Sequence, residues 1–334
     1  MTSTVRRSLV VAASLFTLGS ASLDAQATPL ASWNDGPTKN AILSFVRGTT
    51  DRSSAQYVAP DDRIATFDND GTLWVEHPLY TQAVFAIDRV GALAAQHPEW
   101  KTTEPFKSVL ARDEEAIAKF SEADWEKIVA ATHSGMTVEA FNDLAASWLA
   151  TATDRRFKRH YTELVYQPML ELLSYLRENG YKTYIVTGGG QDFVRAFAYR
   201  IYGVPPEQVV GTAGKTTLTY TEKGKAQLMK APDILYIDDK TGKPEGIHLF
   251  IGRRPRAAFG NSDGDKQMLQ WTQAGDGPRL MLLVQHDDAE REYAYGADAK
   301  VGTFSDALMA DATKSGWLVV SMKRDWRRIF PFDP

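Results

Sequence analysis

The sequence predicts an α/β protein in which a Rossmann-like parallel sheet forms the core and an α-helical cap domain is inserted into it. Three observations predict this fold class. A short apolar segment at residues 63–67 runs directly into a turn with two aspartates, residues 79–159 have helical periodicity without a strand pattern, and strand and helix patterns alternate after residue 167. We therefore expect residues 28–78 and 160–334 to form the core and residues 79–159 to form the cap.

The N-terminal segment has the three parts of an export signal. Arg6 and Arg7 precede an apolar run at residues 9–18, and small residues ending at Ala27 provide a cleavage site. The run is too short to span a bilayer, which takes about 20 residues. We therefore predict that a signal peptide of residues 1–27 is removed after Ala27, which leaves a periplasmic or secreted protein without a membrane anchor. The general and twin-arginine export routes both stay open.

Composition excludes several classes of site and partner. The 334 residues include no cysteine, which excludes disulfides, thiol catalysis and thiolate metal ligands. The 42 acidic residues outnumber the 38 basic residues, so the sequence gives no indication of a nucleic-acid partner. It leaves the oligomeric state open.

The turn that follows the first predicted strand contains Asp68, Asp70 and Gly71. Ligands of open α/β sheets bind beyond the carboxyl ends of the strands, so both carboxylates are candidates for catalysis. An Asp-Gly pair is also common in plain turns. A calcium-binding EF-hand loop does not fit, because that loop places its glycine at the sixth position and follows a helix.

Periodicity and capping residues predict the other elements. Residues 37–46 have the pattern of a helix packed on the core, and Ser121 is suited to cap the N-terminus of a helix in the cap domain. We expect the cap to close over the two carboxylates, exclude water and set substrate choice. Further helices are predicted at residues 168–178 and 305–313, a hairpin arm at 215–223, and strands at 280–284 and 317–321.

A strand, a glycine-rich loop and a helix follow one another in the second half of the chain. The predicted strand at residues 181–186 leads into Thr187, Gly188 and Gly189, and a helix is predicted at residues 192–202. Glycines let backbone N–H groups approach an anion, and a helix N-terminus favours negative charge. This arrangement is typical of a phosphate-binding loop.

Two more strand ends carry polar residues. Lys243 stands at the predicted N-terminus of a helix, where a cation opposes the helix dipole, so we expect it to have another task; Lys240 is the alternative. A short strand at residues 256–259 is followed by a loop that contains Asn261 and Asp265. Together with the two earlier sites, four strand ends carry polar or charged side chains.

The four motifs in this order resemble the haloacid dehalogenase superfamily, in the branch similar to phosphoserine phosphatase. The resemblance covers residues from about 60 to 285 and implies the fold of that superfamily, including the inserted cap. It implies that Asp68 is the nucleophile that forms an aspartyl phosphate and that Asp70 protonates the leaving alcohol and then activates water. It also implies that Thr187 and the N–H groups of Gly188 and Gly189 bind the phosphoryl oxygens.

The same resemblance implies that Lys243 neutralises charge on the nucleophile and that Mg²⁺ is the cofactor. Its ligands would be Asp68, the backbone carbonyl of Asp70 and a side chain of the fourth motif. The usual first acid of that motif is replaced by Asn261, so either Asn261 or Asp265 is the expected ligand there.

The predicted substrate is a small phosphomonoester. Glu76 and His77 follow the acidic turn near the position where phosphoserine phosphatases place a substrate-binding carboxylate, although the register differs by one residue. An ester of an amino alcohol such as phosphorylcholine, with its cation against Trp74 or other aromatic residues of the cap, is one hypothesis. A phosphotransferase with the same intermediate and a non-catalytic protein that binds a phosphorylated ligand are the alternatives.

Overall fold

The computed structural model describes residues 29–334, and the predicted signal peptide lies outside the described residues. The strands are β1 (Ile64–Phe67), β2 (Lys182–Gly190), β3 (Val209–Tyr220), β4 (Ala226–Tyr236), β5 (Ala257–Gly260), β6 (Leu280–Gln285) and β7 (Leu318–Ser321). The helices are α1 (Pro37–Thr50), α2 (Thr81–Leu93), α3 (Phe106–Ala111), α4 (Glu114–Ile117), α5 (Glu122–His133), α6 (Val138–Leu149), α7 (Gln167–Glu178), α8 (Gln191–Arg195), α9 (Ala198–Tyr202), α10 (Gly242–Gly246), α11 (Lys266–Gln273), α12 (Asp306–Ser315) and α13 (Met322–Asp325).

The strands form one sheet in the order β4-β3-β2-β1-β5-β6-β7, and every pair is parallel except β3 and β4. In the register of the central strand, Ala65 lies opposite Thr183 on one side and Ala257 on the other. Strands that follow β1 in the sequence therefore lie on both sides of it in the sheet. Open α/β sheets bind ligands where the strand order changes direction in this way, so we expect the site at the carboxyl ends of β1, β2 and β5. The predicted α/β class with a largely parallel sheet is confirmed.

Apolar side chains cover both faces of the sheet because successive residues of a strand point to opposite sides. Phe67, Ile185 and Phe259 belong to the larger core, and the rings of Phe67 and Phe259 stack with centroids 4.3 Å apart. Val186 and Ala258, each next in sequence to a residue of the first set, belong to the second core on the other face. The strands that carry the candidate site are therefore fixed from both sides.

Five helices, α2 to α6, lie between β1 and α7, where the sequence predicts the cap. Val90, Trp100 and Ile128 form the centre of a separate small core in this region. Ser121 caps α5 as predicted, because its hydroxyl accepts a hydrogen bond from the Asp124 N–H at 3.3 Å. Within residues 29–334 the structure contains no helix long and apolar enough to cross a membrane.

The hairpin of β3 and β4 is longer than the arm predicted at residues 215–223, and it reaches the cap. The Lys230 N–H donates to the Met136 carbonyl at 2.8 Å, and the Gly135 N–H donates to the Lys230 carbonyl at 3.0 Å. The prediction underestimated the hairpin because β4 has mixed polar and apolar residues without a regular alternation. The cap and the β3–β4 hairpin, which come from separate parts of the chain, are therefore hydrogen-bonded to each other.

The single helix predicted at residues 192–202 is two short helices, α8 and α9. The break falls at Phe197, whose backbone leaves the helical region and whose ring stacks on Trp74 with centroids 4.5 Å apart. Packing against the segment after the acidic turn therefore overrides the helical periodicity at this point.

Candidate active site

A buried lysine joins two of the predicted site carboxylates. Asp68 follows β1, and its N–H continues the strand pairing by donating to the Phe259 carbonyl at 2.9 Å. The Lys243 Nζ donates to Asp68 Oδ1 at 2.6 Å, to Asp265 Oδ1 at 2.6 Å and to the Val186 carbonyl at 3.0 Å. Three separate motifs of the sequence therefore meet at one ammonium group.

The structure distinguishes the two candidate lysines. Burial alone would lower the pKa of Lys243, but the carboxylates of Asp265 and Asp68 outweigh burial and raise this pKa above its usual value, so the ammonium stays charged. Lys240 has a left-handed backbone with φ of 51°, and its side chain is 68 % exposed beside Asp239. Lys243, and not Lys240, contacts the nucleophile candidate.

Asp70 lies beside the glycine-rich loop. Its Oδ1 accepts a hydrogen bond from the Trp74 Nε1 at 2.8 Å. A side-chain carbon placed on Gly189 would lie 3.5 Å from Asp70 Oδ2 and 3.2 Å from the Thr187 hydroxyl, so the loop and the acidic turn border the same space. Burial raises the pKa of Asp70, and the hydrogen bond from Trp74 partly opposes this. A raised pKa suits a carboxyl group that donates a proton.

The glycine-rich loop is held by side chains on both sides of the cleft. The Gly189 N–H donates to the Thr187 hydroxyl at 3.0 Å, and the Gly190 N–H donates to Gln82 Oε1 at 2.7 Å. Gly188, which precedes these two glycines, is exposed to the cleft. Sequence reasoning missed Gln82, which belongs to the first turn of α2 in the cap and carries no motif.

The fourth motif lies directly beside the cluster around Lys243. Asp265 is fully buried, and its Oδ2 accepts hydrogen bonds from the N–H groups of Asn261 at 2.9 Å and Ser262 at 3.1 Å. Asp265 is therefore held by the loop and by Lys243 together. Asn261 is also fully buried, and its Oδ1 accepts a hydrogen bond from the Thr72 hydroxyl at 3.1 Å.

The donor groups around Asp68 fit a magnesium ion. In the part of the chain that the structure describes, no three His, Cys, Asp or Glu side chains group as metal ligands; the expected set instead includes a backbone carbonyl and the Asn261 amide. All these donors are oxygens, which Mg²⁺ prefers. Burial and, after it, the charge of Asp265 raise the pKa of Asp68 and outweigh the effect of Lys243. Two carboxyl groups share this single ammonium group. A divalent cation would correct that imbalance.

Glu76 and His77 lie behind the acidic turn and outside the lining of the cleft. Glu76 is 2 % exposed, and its Oε1 accepts hydrogen bonds from the Asn261 Nδ2 and from the Tyr295 hydroxyl, each at 2.7 Å. His77 Nε2 lies 2.9 Å from the Val301 carbonyl, and its ring stacks on Tyr295. In the structure both side chains contact protein partners and neither lines the cleft, so their contact with a substrate stays a prediction.

A cleft of about 700 Å³ lies between the site and the cap. Its apolar lining comes from the cap and the hairpin and comprises Leu79, Ile117, Phe120, Trp125, Val129, Phe141, Ile234 and Ile237. Trp74 does not line the cleft, since it is 1 % exposed against Phe197, which corrects its expected contact with a substrate cation.

Polar side chains also line the cleft, among them Lys230, Asp192 and His133. Lys230 forms an ion pair with Asp192 and lies over the Phe141 ring at 4.6 Å. His133 is buried beside the same ring, and burial lowers its pKa to about 3, so it is neutral near pH 7. Glu122 and Glu126 of α5 also line the cleft, so the cap side carries negative charge into it.

Comparisons with solved structures found chains similar to this one. A conserved functionally unknown protein from Anaerococcus prevotii has 17 % identity and a TM-score of 0.50, with 84 % of this chain and 91 % of that chain covered. A protein with unknown function from Bordetella pertussis has 14 % identity and a TM-score of 0.48, with 77 % and 97 % covered. A phosphoserine phosphohydrolase-like protein from Francisella tularensis has 12 % identity and a TM-score of 0.38, with 80 % and 95 % covered.

At these identities the likeness concerns the fold alone. No curated protein matches the sequence. The sequence does match the family of haloacid dehalogenase-like hydrolases over residues 65–270, which is more than half of the chain and includes all four motifs. The chain therefore belongs to the haloacid dehalogenase-like hydrolase family.

Proposed function

We propose that the protein is a magnesium-dependent phosphatase that hydrolyses phosphomonoesters through an aspartyl phosphate on Asp68. The observation that carries this proposal is the shared space bordered by Asp68, Asp70, the Thr187 loop and Lys243. A nucleophile, a proton carrier, backbone donors and a fixed cation are the groups that phosphoryl transfer needs. Dehalogenation needs no second acid, so the presence of Asp70 favours phosphoryl transfer.

The reaction has two displacements at phosphorus. A carboxylate oxygen of Asp68 attacks phosphorus, the bond from phosphorus to the ester oxygen breaks, and Asp70 gives its proton to the departing alkoxide. Asp70, now ionised, then takes a proton from water as the water oxygen attacks the same phosphorus. The bond between phosphorus and Asp68 breaks, which releases inorganic phosphate and restores both carboxyl groups.

Fixed positive groups stabilise the charge that develops during both steps. Lys243 is already 2.6 Å from Asp68, and Gly188 of the Thr187 loop is exposed to the same space, whereas the Gly189 N–H donates to the Thr187 hydroxyl. Asp68, the Asp70 carbonyl and Asn261 would hold Mg²⁺, which supplies further positive charge to the phosphoryl oxygens when bound.

The cleft supports an alcohol with an apolar or aromatic body as the leaving group. Trp125, Phe120 and Ile117 present apolar surface on the cap side, and the hairpin adds Ile234 and Ile237. A small zwitterion such as phosphoserine would find no dedicated carboxylate at position 76, because Glu76 is directed to Asn261. Apolar surface favours a ligand that buries apolar area.

A panel of monoesters tests this proposal. We expect phenyl and naphthyl phosphates to have kcat/KM values at least ~10-fold above that of O-phosphoserine or phosphorylcholine. Trp125→Ala should raise KM for the aryl esters and leave the value for O-phosphoserine nearly unchanged, whereas Leu249→Ala, at an exposed position outside the cleft, serves as the matched control. Equal kcat/KM values across the panel would reject the apolar leaving group, and no phosphate release from any ester would reject the phosphatase.

We also propose that the protein is exported, on the basis of the predicted signal peptide. Mass analysis of the protein recovered from the periplasm or the medium should give an N-terminus at Thr28. An intact Met1 on exported protein would contradict the predicted cleavage after Ala27.

A further inference from the structure

Glu76 is a buried carboxylate that the proposed reaction does not use. The residue lies next to the place where the fourth motif has an amide, Asn261, instead of an acid, so the expected magnesium site lacks one negative charge there. We propose that Glu76 supplies this missing charge to the magnesium site and fixes the orientation of the Asn261 amide. The inference rests on the proposed function, because it concerns the metal of the same site.

The hydrogen bond between the two side chains fixes which end of the amide faces the metal site. A carboxylate only accepts hydrogen bonds, so the Asn261 Nδ2, 2.7 Å away, must be the end that faces Glu76. The amide oxygen is thereby turned away from Glu76, toward the Thr72 hydroxyl at 3.1 Å. That oxygen is the atom of the amide that can bind a cation, so Glu76 acts as a positioning residue.

Two glycines provide the room for this contact. Gly71, in the acidic turn, has a φ of +74°, and a side-chain carbon on it would lie 2.1 Å from the Asn261 Nδ2 and 2.3 Å from Glu76 Oε1. A side-chain carbon on Gly302 would lie 1.8 Å from the same oxygen. Neither position could carry a larger residue without displacing the carboxylate. The backbone at Gly71 and at Gly302 therefore lies close to the Glu76 carboxyl group.

No cationic side chain pairs with Glu76 in the part of the chain that the structure describes. Both groups that donate to it, the Asn261 amide and the Tyr295 hydroxyl, are neutral. The other fully buried glutamate, Glu292, differs because its Oε2 lies 3.0 Å from His286 Nδ1. A buried carboxylate whose only partners are neutral is costly unless a cation is near.

Magnesium binding to the full chain, measured by isothermal titration calorimetry, tests the inference without turnover. Glu76→Gln keeps the size of the side chain and removes its charge, so we expect the Kd for Mg²⁺ to rise by ~10- to 100-fold, the range for residues that support metal ligands. The double variant Glu76→Gln with Asn261→Asp moves the charge to position 261 and keeps the hydrogen bond with donor and acceptor exchanged. Its Kd should return close to that of the native protein.

Tyr295→Phe is the matched control, because it removes the other hydrogen bond to Glu76 and leaves the charge. Its Kd should stay close to the native value. A native Kd for Glu76→Gln, or an equal loss in Tyr295→Phe, would overturn the inference. If Glu76→Gln does not fold, the double variant decides: native affinity supports the charge account, and weak affinity overturns it.

Turnover of p-nitrophenyl phosphate by the native protein separates this inference from the proposed function. Magnesium-dependent turnover together with unchanged affinity in Glu76→Gln rejects the role of Glu76 alone. A native protein with neither magnesium binding nor turnover rejects the proposed function as well.

Discussion

Lys243 contacts the nucleophile candidate and Asp265 at the same distance, 2.6 Å, and its side chain is 3 % exposed. Without the ammonium, two carboxylates would be buried side by side with their charges uncompensated. The lysine therefore lowers the pKa of Asp68 against the effect of burial, and it also neutralises the phosphoryl group that Asp68 is proposed to receive. Both effects depend on one charged atom, and Lys240, which is exposed beside Asp239, does not supply it.

Replacing Lys243 by alanine should lower kcat for p-nitrophenyl phosphate by about 100-fold or more, the usual cost of losing one charge-stabilising donor. Lys240→Ala, with an exposed side chain three residues away, is the control and should keep the native kcat. Steady-state kinetics at saturating Mg²⁺ measures both. An inactive Lys240→Ala beside an active Lys243→Ala would reverse the assignment.

Residues whose role depends on their local sequence context could be selected as candidates from the sequence. Asp68 and Asp70 could be identified because a buried strand runs directly into them, and Lys243 because a cation at a helix N-terminus needs a second role. The contact of Glu76 with Asn261 could not be predicted, since 185 residues separate the two and the contact depends on the order of the strands. The position of Glu76 near the acidic turn suggested a substrate contact, whereas in the structure its side chain is buried against Asn261 and Tyr295.

The cap and the hairpin meet at His133, at the end of α5. Its ring packs against Phe85 and Phe141, and its pKa falls from 6.5 to about 3 because burial disfavours the charged imidazolium. In the unfolded chain the same imidazole takes up a proton near pH 6.5. The folded cap should therefore lose stability as the pH falls below 6.5, and this loss continues down to about pH 3.

At pH 5 the protonation of His133 in the unfolded state should lower the free energy of unfolding by about 2 kcal/mol relative to pH 7. Urea unfolding at both pH values measures this loss. His133→Gln should make the difference smaller, whereas His97→Gln, at a more exposed position of the cap, is the control. An unchanged pH dependence in His133→Gln would show that the imidazole is not the source.

The length of the β3–β4 hairpin marks the limit of element prediction from this sequence. Strands β1, β5, β6 and β7 were predicted to within about two residues because they are short apolar runs. The pairing of β4 with the cap at Met136 and Gly135 depends on tertiary contacts between distant segments. Residues that line the cleft are therefore the hardest to predict from sequence, and these residues determine the choice of substrate.

At the scale of the whole molecule, the sheet order brings four motifs separated by up to 197 positions, Asp68 to Asp265, into one cluster. We propose that the carboxyl groups of this cluster let the native state bind a divalent cation. A ligand that binds only the native state stabilises it by mass action.

Adding Mg²⁺ at about 100 times its Kd should raise the free energy of unfolding by about 2.7 kcal/mol. Thermal melts with and without Mg²⁺, after removal of metal by a chelator, measure the effect as a rise in Tm. Asp68→Asn should reduce the rise, and Asp61→Asn, at an exposed acid before β1, should not. A Tm that Mg²⁺ leaves unchanged would contradict the magnesium site.

The most direct test of the account is the detection of the phosphoryl group on Asp68. The protein is mixed with p-nitrophenyl phosphate and Mg²⁺, quenched in acid and digested, and the peptide that contains residues 64–74 is examined by mass spectrometry. We predict the mass of one added phosphoryl group on Asp68, a larger labelled fraction in Asp70→Asn because that variant lacks the base for hydrolysis, and no label in Asp68→Asn. Phosphate release by the native protein with Asp68 unlabelled, or equal turnover by Asp68→Asn, would contradict the account.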